Sequence, residues 1–310
     1  MTIFLTVLAI TVLAPLITYF VAPKALLDFI YQMARRRSGL TEKSVEVEGL
    51  CWPYLEGGPQ DGIPIVLIHG YGGDKDNWTL YARHFTSKFR FICMDLPAFG
   101  DNDKSLEREY DMETQARRVI AFLDALGIDK CHLGGNSMGG FVTLVAALNF
   151  PERLESIALF NNAGVAGAGT SELQKQVEEK GINPLAVQSV DDVKRLLAFV
   201  TYKPIKAPRN FRKINFEQFD ANRELLDRIF WSLVEDGMNH SLNDRLNEIK
   251  IPTFIIWGRH DQVIDVSCVD ALTDGIVGSK AVILEETGHI PMIERPALTA
   301  RHHLQFLAKI

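Results

Sequence analysis

The apolar positions change their period along this chain, and the changes mark out its elements. Met1 to Pro23 is dominated by Ile, Leu, Val and Ala and carries no charged side chain. A run of that length crosses a hydrocarbon core of ~30 Å as a helix. Pro15 lies inside it, and membrane helices tolerate proline better than soluble ones do. Ala25 to Met33 then has the spacing of a short amphipathic helix, suited to a membrane surface. Ser44 to Val47 and Trp52 to Leu55 read as two early strands. Pro53 cannot donate to a ladder, which predicts a sheet edge for the second. Gly57, Gly58, Pro59, Asp61 and Gly62 form a turn.

From Ile63 onward, strand and helix alternate. Ile63 to Ile68, Arg90 to Asp95, Lys130 to Gly134 and Leu154 to Phe160 read as strands. Trp78 to Phe85, Met112 to Leu126 and Met138 to Asn149 read as helices. The second of these sets Ala116, Val119, Ile120, Leu123 and Leu126 on one face, and Pro151 ends the third. Largely apolar strands alternating with helices predict an α/β fold, a mostly parallel sheet covered on both faces. The alternation stops near Asn161. Gly164, Gly167 and Gly169 make an exit, and Ser171 to Leu246 is helical in pattern. It resumes with a strand at Thr253 to Trp257, a helix at Val266 to Ile276, a strand at Ala281 to Leu284 and a helix at Ala297 to Leu307. The organisation expected is a transmembrane anchor over residues 1–23, a juxtamembrane segment over 24–43, a core from 44–162 and 248–310, and a helical cap over 163–247.

Composition narrows the partners. The chain has 310 residues, 47% apolar and 23% charged, which is ordinary for a globular enzyme. A net charge of −6 argues against nucleic acid, because phosphate binding needs a basic face. Cys51, Cys93, Cys131 and Cys268 form no CxxC pair, so zinc, redox and disulfide readings are poor. Cys93 and Cys131 sit in strand-like runs and read as core thiols. Basic residues flank the first apolar run only on its carboxyl side, at Lys24 and Arg35 to Arg37. A signal peptide would begin with a basic region and end at a cleavage site, and neither is evident. The reading is a retained single-pass anchor rather than a signal peptide or a buried helix. The positive-inside rule then leaves the remainder in the cytoplasm.

Gly135-Asn136-Ser137-Met138-Gly139 fits G-x-S-x-G. As a bare string the motif is weak, but here a strand precedes it and a helix follows. Glycines let the backbone turn tightly enough to push the serine out at the carboxyl edge of a sheet. Such a serine needs a base, and the base an orienting acid. The histidines that follow are His240, His260, His289, His302 and His303. His289, in Thr287-Gly288-His289 just past the strand at Ala281 to Leu284, is best placed to reach back. His302 and His303 lie within the last helix and read as surface or packing residues. Asp261, immediately after the strand at Thr253 to Trp257, is the leading acid, with Asp265 and Asp270 as alternatives. An oxyanion needs two donors. The N–H of Met138, at a helix start, is one, and the N–H of Tyr71, in His69-Gly70-Tyr71-Gly72-Gly73, is the other. His69 precedes the serine and reads as a residue that shapes this loop.

The strings HGYGGDKDNW, GNSMGG, WGRHDQV and GHIPMIERP, spanning residues 69 to 296, resemble the α/β-hydrolase superfamily. Within it the chain is most similar to membrane-anchored monoacylglycerol lipases and related bacterial lipases. That resemblance implies a triad of Ser137, Asp261 and His289, an oxyanion hole from Tyr71 and Met138, and a cap over an acyl pocket. It also implies a lipid ester, most simply an acylglycerol, as substrate, with no cofactor or metal. Leu196, Leu197, Phe199, Phe230 and Trp231 in the insertion are candidates to line the acyl site. One departure is Asp95-Leu96-Pro97-Ala98-Phe99-Gly100, in which Ala98 replaces a family glycine. The alternatives are a ring-fission carbon–carbon bond hydrolase and a non-catalytic binding protein on the same fold. Dehalogenase and epoxide-hydrolase readings are weaker, because those relatives carry an aspartate where this chain has Ser137.

Overall fold

The computed structural model describes residues 15–310. Residues 15–21 are helical, and Pro23 restarts the chain as helix α1 (Pro23–Arg37). The anchor expected over residues 1–23 falls largely on residues 1–14, outside the described residues. Among the described residues, no helix is long and apolar enough to cross a membrane.

The chain then enters a hairpin of β1 (Leu40–Val47) and β2 (Leu50–Gly57), both longer than the sequence pattern predicts. Glu48 and Gly49 join them with φ of 52° and 76°, the conformation a two-residue hairpin turn requires. The strands that follow are β3 (Pro64–Ile68), β4 (Arg90–Met94), β5 (Cys131–Asn136), β6 (Leu154–Phe160), β7 (Thr253–Gly258) and β8 (Lys280–Leu284). They form one eight-stranded sheet in the order β1-β2-β4-β3-β5-β6-β7-β8. The β1–β2 and β2–β4 pairs are antiparallel and the others parallel.

The edge position predicted for the strand holding Pro53 is wrong: β1 is the edge, and β2 lies between β1 and β4. The physical reason is local. The Pro53 carbonyl accepts the Asp95 N–H at 3.1 Å, so this residue's polar groups face β4. The β2–β4 ladder begins only at Tyr54, so the missing N–H falls just past its end.

Alternation within the strands makes two cores. Val66, Ile68, Ile92 and Met94 face one, and Ile65, Leu67, Phe91 and Cys93 face the other. Helices α3 (Met112–Ala125), α4 (Met138–Asn149) and α9 (Cys268–Gly275) cover the first face. The second is covered by α2 (Thr79–Ala82), α10 (Pro291–Glu294) and α11 (Pro296–Leu307). Helix α2 is shorter than the Trp78 to Phe85 pattern predicts, because residues 75–78 are spent on a tighter turn that Asp74 caps.

Between β6 and β7 the chain makes only helices: α5 (Glu172–Lys180), α6 (Val190–Val200), α7 (Arg209–Ala221) and α8 (Arg223–Val234). Ser171 and Ser189 cap α5 and α6 by accepting N–H groups of their first turns. Gly181 ends α5 in the left-handed conformation.

Candidate active site

Ser137 sits between β5 and α4 with φ 55° and ψ −119°. A non-glycine residue there is strained by about 1–3 kcal/mol. Three backbone bonds hold it: Ser137 N–H to Phe160 O at 3.0 Å, and Phe141 and Ala163 N–H to Ser137 O at 3.1 and 3.0 Å. The flanking glycines have a steric cause. A Cβ on Gly135 would stand 2.2 Å from the Gly139 carbonyl carbon, and one on Gly139 would stand 2.5 Å from His69 O.

His289 follows β8, and its Nδ1 lies 2.8 Å from Asp261 Oδ2. Asp261 follows β7. Its Oδ1 accepts the N–H groups of Val263 (2.8 Å) and Ile264 (3.1 Å), and its Oδ2 accepts Asn161 Nδ2 at 2.7 Å. A carboxylate held by that many donors acts as an acceptor, so His289 Nδ1 donates, and in the neutral ring Nε2 is the nitrogen with the lone pair. The His289 N–H donates to Val200 O at 2.9 Å, and its carbonyl accepts Asn136 Nδ2 at 3.0 Å. Sequence reasoning missed Asn161, a fully buried residue with φ 45° that also reaches Gly288 O at 3.3 Å. The available signal was Asn161-Asn162 directly after an apolar strand, at the same sheet edge as Ser137.

The other candidates lie elsewhere. His240 is exposed, near Glu235. His260 stacks on Tyr202 with ring centroids 4.5 Å apart. His303 is buried in the second core. Asp265 accepts the Ser267 N–H at 2.9 Å, and Asp270 lies on α9. His69 is fully buried, which lowers its pKa. Its Nδ1 lies 2.8 Å from Gly70 O and its Nε2 accepts the Leu96 N–H at 3.1 Å. It joins the Tyr71 loop to the loop after β4. In that second loop Ala98 has φ 83° and is buried. A non-glycine residue in that left-handed conformation is strained by about 1–2 kcal/mol, of which burying its one side-chain carbon offsets ~0.8 kcal/mol.

Ser137 and His289 line one cavity of about 280 Å³. Tyr71 lines it too, its hydroxyl donating to Leu226 O at 3.0 Å. The Met138 N–H is the first of α4, and the leading N–H groups of a helix have no intrahelical acceptor. Val193, Leu196, Leu197 and Val200 of α6 form the apolar wall, a stripe at helical spacing. Of the acyl-site residues expected, Leu196 and Leu197 line the cavity; Phe199, Phe230 and Trp231 are not among its lining residues. Phe199 falls off the α6 stripe. Phe230 is buried against the Tyr71 ring (5.9 Å), and Trp231, the next residue on α8, is 39% exposed.

Helix α1 also lines this cavity, through Leu27 and Tyr31. It is fastened by Arg35, whose Nε and Nη2 reach the two Asp76 oxygens at 2.7 and 2.5 Å and whose Nη1 reaches Glu42 at 2.7 Å. Asp76 lies close behind the Tyr71 loop. Next to it, Lys75 is buried against Asp95 (2.8 Å) and Asp101 (2.6 Å). Burial and the Asp95 and Asp76 carboxylates push the Asp74 carboxyl above the usual carboxylate range. A wider groove of about 1120 Å³ adjoins the cavity and shares Tyr31, Gly72 and Asp74 with it.

A family model described as the alpha/beta hydrolase fold matches residues 63–296. The chain belongs to the α/β-hydrolase family. Within that family it is 33% identical to Lipase 1 of Psychrobacter immobilis, over 89% of this chain and 87% of that one. It is 28% identical to monoacylglycerol lipase ABHD6 of Homo sapiens, over 98% of this chain and 93% of that one. A solved structure described as a membrane phospholipase A, a bacterial virulence factor, is 37% identical with a TM-score of 0.89. That match covers 100% of this chain and 99% of the other.

Proposed function

We propose that this protein hydrolyses carboxylic esters of lipids through an acyl-enzyme on Ser137, with monoacylglycerols and other acylglycerols as substrates. The observation that carries the reading is the 2.8 Å Asp261–His289 contact at a cavity that Ser137 and His289 both line and that α6 walls with apolar side chains. In this reading Ser137 Oγ attacks the acyl carbonyl and His289 Nε2 takes its proton. The N–H groups of Tyr71 and Met138 hold the oxyanion. His289 returns the proton to the departing alcohol oxygen, which leaves the acyl group on Ser137. Water then attacks with His289 again as base, and the fatty acid departs. Asp261 keeps the imidazole oriented throughout. The helical insertion acts as a cap, and Leu196 with its α6 neighbours receives the acyl chain.

A second reading, hydrolysis of a phospholipid acyl ester by the same chemistry, is favoured by the likeness to the membrane phospholipase A. Membrane attachment through residues 1–23, with the catalytic part on the cytoplasmic side, belongs to the proposal. The exposed apolar side chains of Leu16, Ile17, Phe20 and Val21 support the attachment.

The test uses the full chain in detergent, as wild type and Ser137→Ala, with glycerol monoesters of increasing length, a phospholipid, a ring-fission dienoate and a fluorophosphonate probe. Wild type is expected to cleave esters and to be labelled, and Ser137→Ala to do neither. Burial of each additional methylene is worth ~0.8 kcal/mol, so kcat/KM rises about fourfold per methylene until the cavity is filled. Dienoate cleavage without Ser137-dependent ester turnover would refute the reading.

A further inference from the structure

Glu294 closes α10, beyond the loop that carries His289, and is not among the cavity's lining residues. Its carboxylate is aimed back at that loop. Oε1 accepts the Gly288 N–H at 2.8 Å and Oε2 accepts the Tyr202 N–H at 2.7 Å. Gly288 immediately precedes His289, so the carboxylate holds the backbone next to the imidazole-bearing residue. Tyr202 lies two residues after Val200, whose carbonyl accepts the His289 N–H at 2.9 Å. The two segments touch directly: a Cβ on Gly288 would stand 2.8 Å from Tyr202 N and 2.9 Å from Val200 O. The exit of α6 and the histidine loop are therefore cinched together from both ends.

The chemistry of the cinch is specific. Two N–H donors, from Gly288 and Tyr202, converge on one side chain, and only an ionised carboxylate presents two oxygens without a hydrogen of its own. Burial raises the pKa of Glu294 and outweighs the backbone N–H groups and His289, which act in the opposite direction. An amide at this position must turn its NH2 toward one of the N–H groups and lose that contact. We propose that Glu294 is a positioning residue for His289, and that it couples the seat of the imidazole to residues 200–202 of the insertion. The assignment rests on the Ser137–His289–Asp261 reading and goes beyond it by placing the histidine's support partly in the insertion.

The experiment compares wild type, Glu294→Gln, Glu294→Ala and Ser137→Ala as full chains in detergent. It measures Tm, kcat and KM on a glycerol monoester, the fluorophosphonate labelling rate, and amide hydrogen exchange over residues 200–202 and 287–290. For Glu294→Gln the expected result is a folded protein whose kcat and labelling rate both fall about tenfold with KM changed less than twofold. Exchange should rise in both segments together. Loss of stability alone would lower the folded fraction and leave kcat per labelled site unchanged, and that outcome overturns the proposal. So does Glu294→Gln with kcat and labelling within twofold of wild type. Should Glu294→Ala fail to fold, the exchange of the glutamine variant still decides: protection unchanged in either segment refutes the coupling. Turnover by Ser137→Ala would sink the parent reading, whereas Ser137-dependent turnover indifferent to Glu294→Gln sinks this one alone.

Discussion

Acid should destabilise this protein through His303, a residue far from the candidate chemistry. The imidazole is 1% exposed and stacks on Phe254 with ring centroids 5.4 Å apart and 4° between planes. Its Nδ1 lies 2.7 Å from the Tyr81 hydroxyl. Nε2 is buried without a hydrogen-bond partner. A second proton would create a cation among aromatic rings. Burial first, and His132 second, push the group down from 6.5 to about 3. The folded pKa is depressed, so above pH 6.5 both folded and unfolded chains carry a neutral ring and the group costs nothing. As the pH falls below 6.5 the unfolded chain takes up a proton that the folded chain refuses, and stability drops until about pH 3. At ~1.4 kcal/mol per pH unit, the loss between pH 6.5 and 5 is about 2 kcal/mol. His69 and His132 are also lowered by burial and add to the total, so a difference measurement is needed. His303→Gln cannot ionise and retains a polar atom for Tyr81. Urea unfolding followed by tryptophan fluorescence at pH 7.5 and 5 should show the deficit of the variant shrinking by about 2 kcal/mol at the lower pH. Parallel stability curves for the two proteins would refute the reasoning.

Two further outcomes test the site and its setting. Asp261→Asn offers one oxygen where two are used; given to the Val263 and Ile264 N–H groups, it leaves an NH2 facing His289 Nδ1 and forces the wrong tautomer. The expected result is a kcat lower by roughly 10³- to 10⁴-fold with little change in Tm, and a decrease below tenfold would count against Asp261 as the orienting acid. An alkaline-phosphatase fusion after Leu50 should be inactive in a bacterial host, and strong activity would reverse the proposed sidedness.

What the sequence made legible follows from what repeats along it. The strands β3 to β7 declare themselves because both of their faces are buried, so they read as apolar runs. The turn at Ser137 declares itself because glycines are forced on both sides of it. Features that depend on a contact distant in sequence were hidden. The missing donor of Pro53 is harmless only because the β4 ladder stops beside it, and no local pattern carries that information. Leu27 and Tyr31 show an apolar face, but a membrane and the mouth of a cavity select the same spacing. Phe199, Phe230 and Trp231 have the right chemistry for an acyl site and the wrong azimuth on their helices. Asn161 looked like the end of a strand, because the carboxylate it supports lies 100 residues further on.

The bond from His289 N–H to Val200 O bears on how such a protein could be rebuilt. The insertion leaves the sheet after Phe160 and rejoins it at Thr253, which invites exchanging it whole to obtain a different acyl preference. The graft is not free, however. A transplanted insertion must arrive with a carbonyl where Val200 has one and an N–H where Tyr202 has one, or the recipient scaffold inherits a new pocket and an unsupported base. Choosing donors by the path of that short extended stretch, rather than by the side chains that line their pockets, is the design rule the architecture imposes.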